Sequence, residues 1–225
     1  MISILTLTYQ RHKILEEAIQ SYLEQDFNGE SEMVIINDSP DVEYVYNHPN
    51  IKIINCKERF KSISSKIEFG YKQCKYDYIY RLDDDDLLTP WALSLTEEYI
   101  KENSEYEIYR SRKNYLFTDN KYVELFESIN TGNVFTRKYL DRIVFPNRSG
   151  NEDESIVFGN NAKIITLDKG KYTMIYRWGN FTYHISAMGI KENEEILSLT
   201  DKEVKNENGI IKLNPHFEND YYSQI

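Results

Sequence analysis

The chain has 225 residues and carries 27 Lys+Arg against 37 Asp+Glu, a formal net charge of −10. That length accommodates one α/β domain with a well-buried core, and the acidic balance provides no whole-chain basic footprint for nucleic acid or an anionic membrane surface, although a local basic groove stays open. Two cysteines, Cys56 and Cys74, are too few for a disulfide framework, and no stretch approaches the ~18 uncharged apolar residues that cross a bilayer. The opening residues Met1 to Tyr9 have the pattern of a strand rather than a signal peptide, so reduced thiols and a cytoplasmic location are expected, with any membrane attachment peripheral.

Ile2, Ile4, Leu5 and Leu7 predict a strand buried on both faces. From His12 to Gln25 the period changes: Ile14, Leu15, Ala18, Ile19, Tyr22 and Leu23 make one stripe of a helix. Met33 to Ile36 is the next strand and ends on the turn signature Asn37-Asp38-Ser39-Pro40. A short strand over Ile51 to Ile54 follows, then a helix carrying Ile63, Ile67, Gly70, Tyr71 and Cys74, then a strand from Asp77 to Leu82. The order β-α-β-β-α-β implies a largely parallel sheet covered by helices, in which ligands bind beyond the carboxyl ends of the strands. Thr8 to Arg11, Asp38 and the run from Asp83 occupy those places.

Thr89-Pro90 predicts a helix start, as N-cap and first helical residue, for a helix to about Asn103. Beyond it the spacing predicts short strands at Glu107 to Tyr109, Val123 to Phe126 and Asn133 to Thr136, a short helix at Lys138 to Ile143, and a helical turn after Asn151 to Glu154. After His184 the pattern decays into charge and Asn-rich turns, so residues 190–225 are expected as a peripheral tail or small cap.

Asp83-Asp84-Asp85-Asp86 concentrates four carboxylates at the end of an apolar strand, where repulsion is costly unless a cation is present. Mg²⁺ and Mn²⁺ take hard oxygen ligands and share their sphere with phosphates, so a diphosphate site is one outcome and a solvated acidic turn is the other. An EF-hand loop does not fit, because Leu87 and Leu88 stand where an oxygen ligand and a glycine are needed. No GxGxxG follows the first strand, and GxxxxGK[ST], GxSxG and HExxH are all missing. The four histidines are too scattered for a zinc cluster.

Ser3 to Arg11, Val34 to Asp38 and Tyr80 to Leu88, followed by Thr131-Gly-Asn-Val134 and Asn151-Glu-Asp153, together resemble the inverting family 2 glycosyltransferases of the GT-A fold, over roughly residues 1–185. The resemblance implies a Rossmann-like, mostly parallel sheet flanked by helices. The chain is accordingly expected to comprise a domain over 1–188, with a nucleotide-sugar-binding half (1–103) and an acceptor and catalytic-base half (104–188), and a C-terminal tail or small cap over 189–225.

It further implies a nucleotide-diphosphate sugar donor, UDP-linked by preference, with Mn²⁺ or Mg²⁺ as cofactor. Thr8 and Tyr9 would line the nucleoside pocket with Arg11 beside them, and Asp38 would accept from the base. Asp83 and Asp84 would neighbour the ribose, and Asp85 would be the direct metal ligand, with Asp83 a second. The ligand register stays open because all four positions are Asp. Asp86 would face the following helix or the acceptor. Lys66 stands near the place of a family arginine that contacts the nucleotide, offset by about one residue, and a solvated helix lysine is the alternative.

In the Glu152-Asp153 pair the resemblance makes Asp153 the general base, whereas the residues alone favour an acidic first helical turn. Thr131, Gly132 and Asn133 would border the acceptor, with Trp178 stacking on a sugar or closing the core. His184 would complete the metal shell or be structural. A hydroxyl-bearing acceptor is required, most commonly a saccharide, although a protein side chain or a hydroxylated nucleic-acid base would undergo the same chemistry. A nucleotidyltransferase and a non-catalytic nucleotide-sugar-binding module are the competing functions. The first lacks its glycine-rich loop after the first strand, and the retained carboxylates weigh against the second.

Overall fold

The computed structural model describes residues 1–111, 113–118, 121–127, 132–148, 152–167, 170–177, 208–223 and 225. In chain order the first elements are β1 (Ile2–Thr8), α1 (His12–Leu23), β2 (Ser31–Asn37), β3 (Glu43–Val45), β4 (Ile51–Asn55), α2 (Ile63–Tyr71), β5 (Tyr78–Asp83), β6 (Leu87–Leu88) and α3 (Ala92–Glu102). They are followed by β7 (Ile108–Ser111), β8 (Lys113–Thr118), β9 (Lys121–Glu127), β10 (Val134–Thr136), α4 (Arg137–Arg142), α5 (Glu152–Phe158), β11 (Ile164–Leu167), β12 (Met174–Arg177) and β13 (Ile210–Lys212).

All seven residues of β1 are buried, because it pairs in parallel with β2 on one side and β5 on the other while helices cover both faces. Ile2 and Ile4 point into a core shared with Leu15 and Ile19 of α1 and Leu93 and Ile100 of α3. Leu5 and Leu7 point the opposite way, against Ile67 of α2, Tyr139 and Leu140 of α4, and Ile156 and Val157 of α5. Gly70 belongs to this second contact: a Cβ there would lie 2.7 Å from Leu5 Cδ1 and 3.1 Å from Ile36 Cγ1, so its bare backbone lets α2 approach the sheet.

Among the described residues the main sheet has the order β11-β7-β10-β5-β1-β2-β4. Only β10 runs against its neighbours, pairing antiparallel with both β5 and β7. The expected α/β fold with a mostly parallel sheet between helices is therefore present. A second sheet, β6-β12-β8-β9, stands beside the exit of β5, and a parallel pair joins β13 to β3. No described helix is long and apolar enough to cross a membrane.

Several local expectations are corrected. Thr89 is not an N-cap: its hydroxyl donates to Tyr172 O (2.9 Å) and its N–H to Thr173 O, so the Thr89-Pro90 pair edges the second sheet and α3 starts at Ala92. α1 stops at Leu23, where Gln25 Nε2 folds back to Ser21 O and ties the helix end to Thr89 O, both at 2.8 Å. α2 stops at Tyr71, and Cys74 stays buried through a turn rather than a helix. Its start is secured by Ser62 and Ser65, each side chain accepting from the other's backbone N–H, a serine version of the capping box. The strands β3, β6, β8, β11, β12 and β13 escaped the sequence pattern because they are short or lack clean alternation. Residues 208–223, expected as part of a tail or small cap, bury Ile211, Leu213 and Tyr221 against the domain.

Asn37, wholly buried at the end of β2, fixes the connection that carries Asp38: its amide donates to Val42 O (2.7 Å) and Asn55 Oδ1 (2.9 Å), and its carbonyl accepts from Ser39 N (3.1 Å). Asn37→Ala should destabilise the fold by about 1–3 kcal/mol for each partner left dry, read as a lowered denaturant midpoint with unchanged slope.

Candidate active site

The polar residues after the strands meet at one end of the main sheet. β1 breaks at Gln10, whose φ of 52° lies in the left-handed region and whose N–H donates to Ser39 Oγ at 2.9 Å. That turn brings Arg11 over the acidic loop. Its guanidinium holds both oxygens of Asp84, with Nε 3.2 Å from Oδ2 and Nη2 on Oδ1, and Nη1 donates to Asp85 Oδ2 at 3.0 Å. Burial works against the Arg11 charge, but Asp84, Asp85 and Asp83 outweigh it and raise its pKa.

The four aspartates are not equivalent. Asp84 is wholly buried against Arg11; burial pushes its carboxyl up to about 6, with Arg11 opposing and Asp85 adding to the rise. Asp83, Asp85 and Asp86 each offer a carboxylate oxygen, and these atoms lie within 4.8 Å of one another. Asp86, expected toward the helix or acceptor, thus joins Asp83 and Asp85, while Asp84 turns to Arg11. Burial, then Asp85 and Asp83, drive Asp86 well above the carboxylate range, and its Oδ2 has no hydrogen-bond partner among the described residues. Three hard carboxylate oxygens with one stranded suit a divalent cation of the Mg²⁺ or Mn²⁺ type.

Asp38 and Lys66 pair inside the domain. Lys66 Nζ contacts Asp38 Oδ1 and donates to Thr8 O at 2.6 Å, while Asp38 Oδ2 accepts from Phe60 N at 3.1 Å. Lys66 is therefore not a solvated helix lysine: burial pulls its pKa down and Asp38 opposes the fall. This pair ties the ends of β1 and β2 to α2. Tyr9 is half-buried, and the exposed Arg59 lays its guanidinium 4.1 Å from the centre of the Tyr9 ring.

Across the sheet, Arg81 connects the acidic loop to α5. It is buried in β5, donates from Nη2 to Asp83 Oδ1 (2.5 Å) and from Nη1 to Leu82 O (2.7 Å), and feels the negative fields of Asp153 and Glu152. Burial pushes the Asp153 carboxyl up to about 7; Arg81 opposes this, and Asp83 and Glu152 reinforce it. Glu152 is buried and its Oε2 has no hydrogen-bond partner among the described residues. Gly132, with φ of 71°, and Asn133 lead into β10 beside β5, where Gly132 N donates to Arg81 O and Arg81 N to Asn133 O.

Thr8, Tyr9, Arg11, Asp38, Lys66, the four aspartates, Gly132, Asn133, Glu152 and Asp153 thus all fall on elements that converge at this end of the sheet. Thr131, Trp178 and His184 lie outside the described residues. Sequence reasoning overlooked Arg81, although a lone arginine in the apolar strand Tyr78 to Leu82 was a signal, since arginine is rarely buried unpaired. It also overlooked Arg59 and Arg177, which only three-dimensional contacts reveal.

The family model of Glycosyl transferase family 2 matches residues 3–158. No curated protein matches this chain. Among solved structures, S. aureus TarS 1–349 in complex with UDP-GlcNAc superposes with a TM-score of 0.66 at 18% identity, covering 91% of this chain and 66% of that one. The same fragment with UDP gives 0.62 at 17% identity, covering 91% and 65%. The mannosyltransferase PcManGT from Pyrobaculum calidifontis, in complex with GDP-Man and Mn²⁺, gives 0.55 at 14% identity, covering 91% and 64%. This chain spans just under two thirds of the length of these three structures, and at such identities they establish the GT-A fold. The chain belongs to glycosyl transferase family 2.

Proposed function

We propose that this protein transfers a hexosyl unit from a nucleotide-diphosphate sugar to an acceptor hydroxyl with inversion at the anomeric carbon, Asp153 acting as general base. The observation that carries this reading is the gathering of the Asp83, Asp85 and Asp86 oxygens at the same end of the sheet as the raised Asp153 carboxyl, with Arg81 in the field of both Asp83 and Asp153. The donor class is supported by family membership and by the nucleotide sugars held by similar structures. UDP is the preferred nucleotide and a saccharide the preferred acceptor.

In this reading the acceptor oxygen forms a bond to C1 as the bond from C1 to the diphosphate oxygen breaks. The acceptor proton passes to a carboxylate oxygen of Asp153, and the electron pair of the broken bond leaves with the diphosphate. Asp83, Asp85 and Asp86 would hold Mn²⁺ or Mg²⁺, and a bound cation would supply the positive charge that the departing diphosphate needs. Thr8, Tyr9 and Arg59 border the nucleoside side, where the Asp38–Lys66 pair keeps the ends of β1 and β2 in register. Arg81 keeps Asp83 oriented and moderates the charge on Asp153. Gly132 and Asn133, together with Thr131 and Trp178, are assigned to the acceptor side, and His184 to completing the cation's shell.

A panel of nucleotide sugars, incubated with Mn²⁺ and candidate saccharides and read by release of nucleoside diphosphate, tests the whole reading; no release from any donor would sink it. Asp153→Asn should lower kcat by about 10²–10⁴-fold while donor affinity, measured by calorimetry, stays within a few-fold. Full turnover in that variant would remove Asp153 as the base.

The base must be ionised to accept a proton, and its pKa is raised to about 7. kcat/KM should therefore rise with pH through about 7 and level off above it. The acidic limb of the pH–rate profile should disappear in Asp153→Asn. Chelation should abolish turnover and Mn²⁺ should restore it. Asp85→Ala should weaken Mn²⁺ binding, whereas turnover indifferent to both chelation and Asp85→Ala would overturn the metal assignment.

A further inference from the structure

Residues 208–223 lie far along the chain from the site, yet they are joined to the back of the acidic loop. Arg177, the last residue of β12, is wholly buried and reaches that loop from below. Its Nε donates to Asp85 O at 2.5 Å, its Nη2 lies 3.5 Å from both Asp84 O and Ile14 O, and its backbone N–H lies 3.3 Å from Asp86 Oδ1. Its Nη1 pairs with Glu17 Oε2 of α1 and lies 3.5 Å from Tyr221 Oη. Glu17 Oε1 in turn accepts from Tyr221 Oη (2.9 Å) and from Glu218 N (3.0 Å).

The neighbouring Tyr222 donates from its hydroxyl to Leu88 O at 2.8 Å, so the C-terminal segment holds the chain directly just after Asp86, and Tyr221 meets Arg177, which holds the carbonyls before it. Phe117 packs edge-on to Tyr221, with ring centres 4.8 Å apart, and Asn214 N donates to Glu16 Oε1 at 2.6 Å. A buried arginine that pairs with a buried carboxylate and spans two carbonyls of a single loop has little freedom to reorient, because moving it would strand a charge.

We propose that Arg177, Glu17 and Tyr221 form a positioning clamp: they hold the Asp84–Asp86 backbone in the conformation that gathers the Asp83, Asp85 and Asp86 carboxylates, and so make the C-terminal segment part of the construction of the cation site. The inference rests on the metal assignment made above. None of the three side chains is a cation ligand or touches the reacting atoms in that assignment. They act through backbone carbonyls and through the charge balance beneath the loop. Outer partners of this kind tune metal affinity by orienting the groups that do bind.

The test measures Mn²⁺ affinity directly, by electron paramagnetic resonance of free Mn²⁺ with the full chain and no donor present, beside the thermal midpoint of each protein. Arg177→Lys keeps the charge opposite Glu17 but lacks the fork that spans the two carbonyls, and should weaken Mn²⁺ binding about 10-fold or more. Tyr221→Phe keeps the ring against Phe117, removes only the hydroxyl, and should weaken binding less, in the same direction. Leu95→Ala, a core truncation in α3, controls for lost stability and should leave Mn²⁺ affinity unchanged even as the midpoint falls.

Wild-type affinity in a folded Arg177→Lys protein overturns the clamp, and if that variant does not fold, wild-type affinity in Tyr221→Phe does so. A loss in Leu95→Ala equal to theirs also overturns it, because affinity would then follow stability alone. A wild-type protein that binds no Mn²⁺ overturns the metal assignment and the clamp together, an outcome distinct from failure of the clamp alone.

Discussion

Four adjacent carboxylates at the mouth of a buried strand set the terms for the rest of this structure. Two unit charges 4 Å apart repel by roughly 4 kcal/mol at the effective dielectric of a protein surface, and these residues are more enclosed than that. Among the described residues three arginines converge on the loop from different elements: Arg11 on Asp84 and Asp85, Arg81 on Asp83, and Arg177 beneath Asp84 to Asp86. Arg177 also serves Glu17, so the loop keeps a deficit of positive charge. Burial and mutual repulsion accordingly raise Asp84 and Asp86, and a divalent cation would relieve the same strain without protonation.

That balance organises the surrounding fold. Arg11 reaches the loop because the chain turns sharply at Gln10, a turn secured by Ser39 at the end of β2. The Asp38–Lys66 pair then ties α2 to the ends of both strands, so the nucleoside side of the proposed site is built from three elements that cannot move independently. Burial raises the Asp153 carboxyl to about 7; Arg81 opposes the rise, and Asp83 of the acidic loop adds to it directly. Two acidic groups in one cleft with different surroundings can take different tasks, one set holding positive charge and the other accepting a proton.

The first half of the chain was legible because β1, β2 and β5 are long and buried on both faces, and α1 carries an unbroken apolar stripe. The second half was less legible because most of its strands have only three or four residues and get their burial from pairing across distant segments, as β12 does between β6 and β8. Thr89-Pro90 shows how local chemistry can mislead. The pair has the composition of a helix start, but the Thr89 hydroxyl is better satisfied by Tyr172 O across the sheet.

By itself the sequence determined a parallel α/β core, the carboxyl-end location of Thr8 to Arg11, Asp38 and Asp83 to Asp86, and the separate acidic pair Glu152-Asp153, because periodicity and strand-end position are local properties. Which aspartates face one another was decided only by the tertiary structure. Four identical side chains carry no register, and the choice depends on where Arg11, Arg81 and Arg177 enter. The same holds for residues 208–223. Their composition resembles a tail, and their burial follows from partners some two hundred residues away, Glu16 and Glu17, which no local pattern could supply.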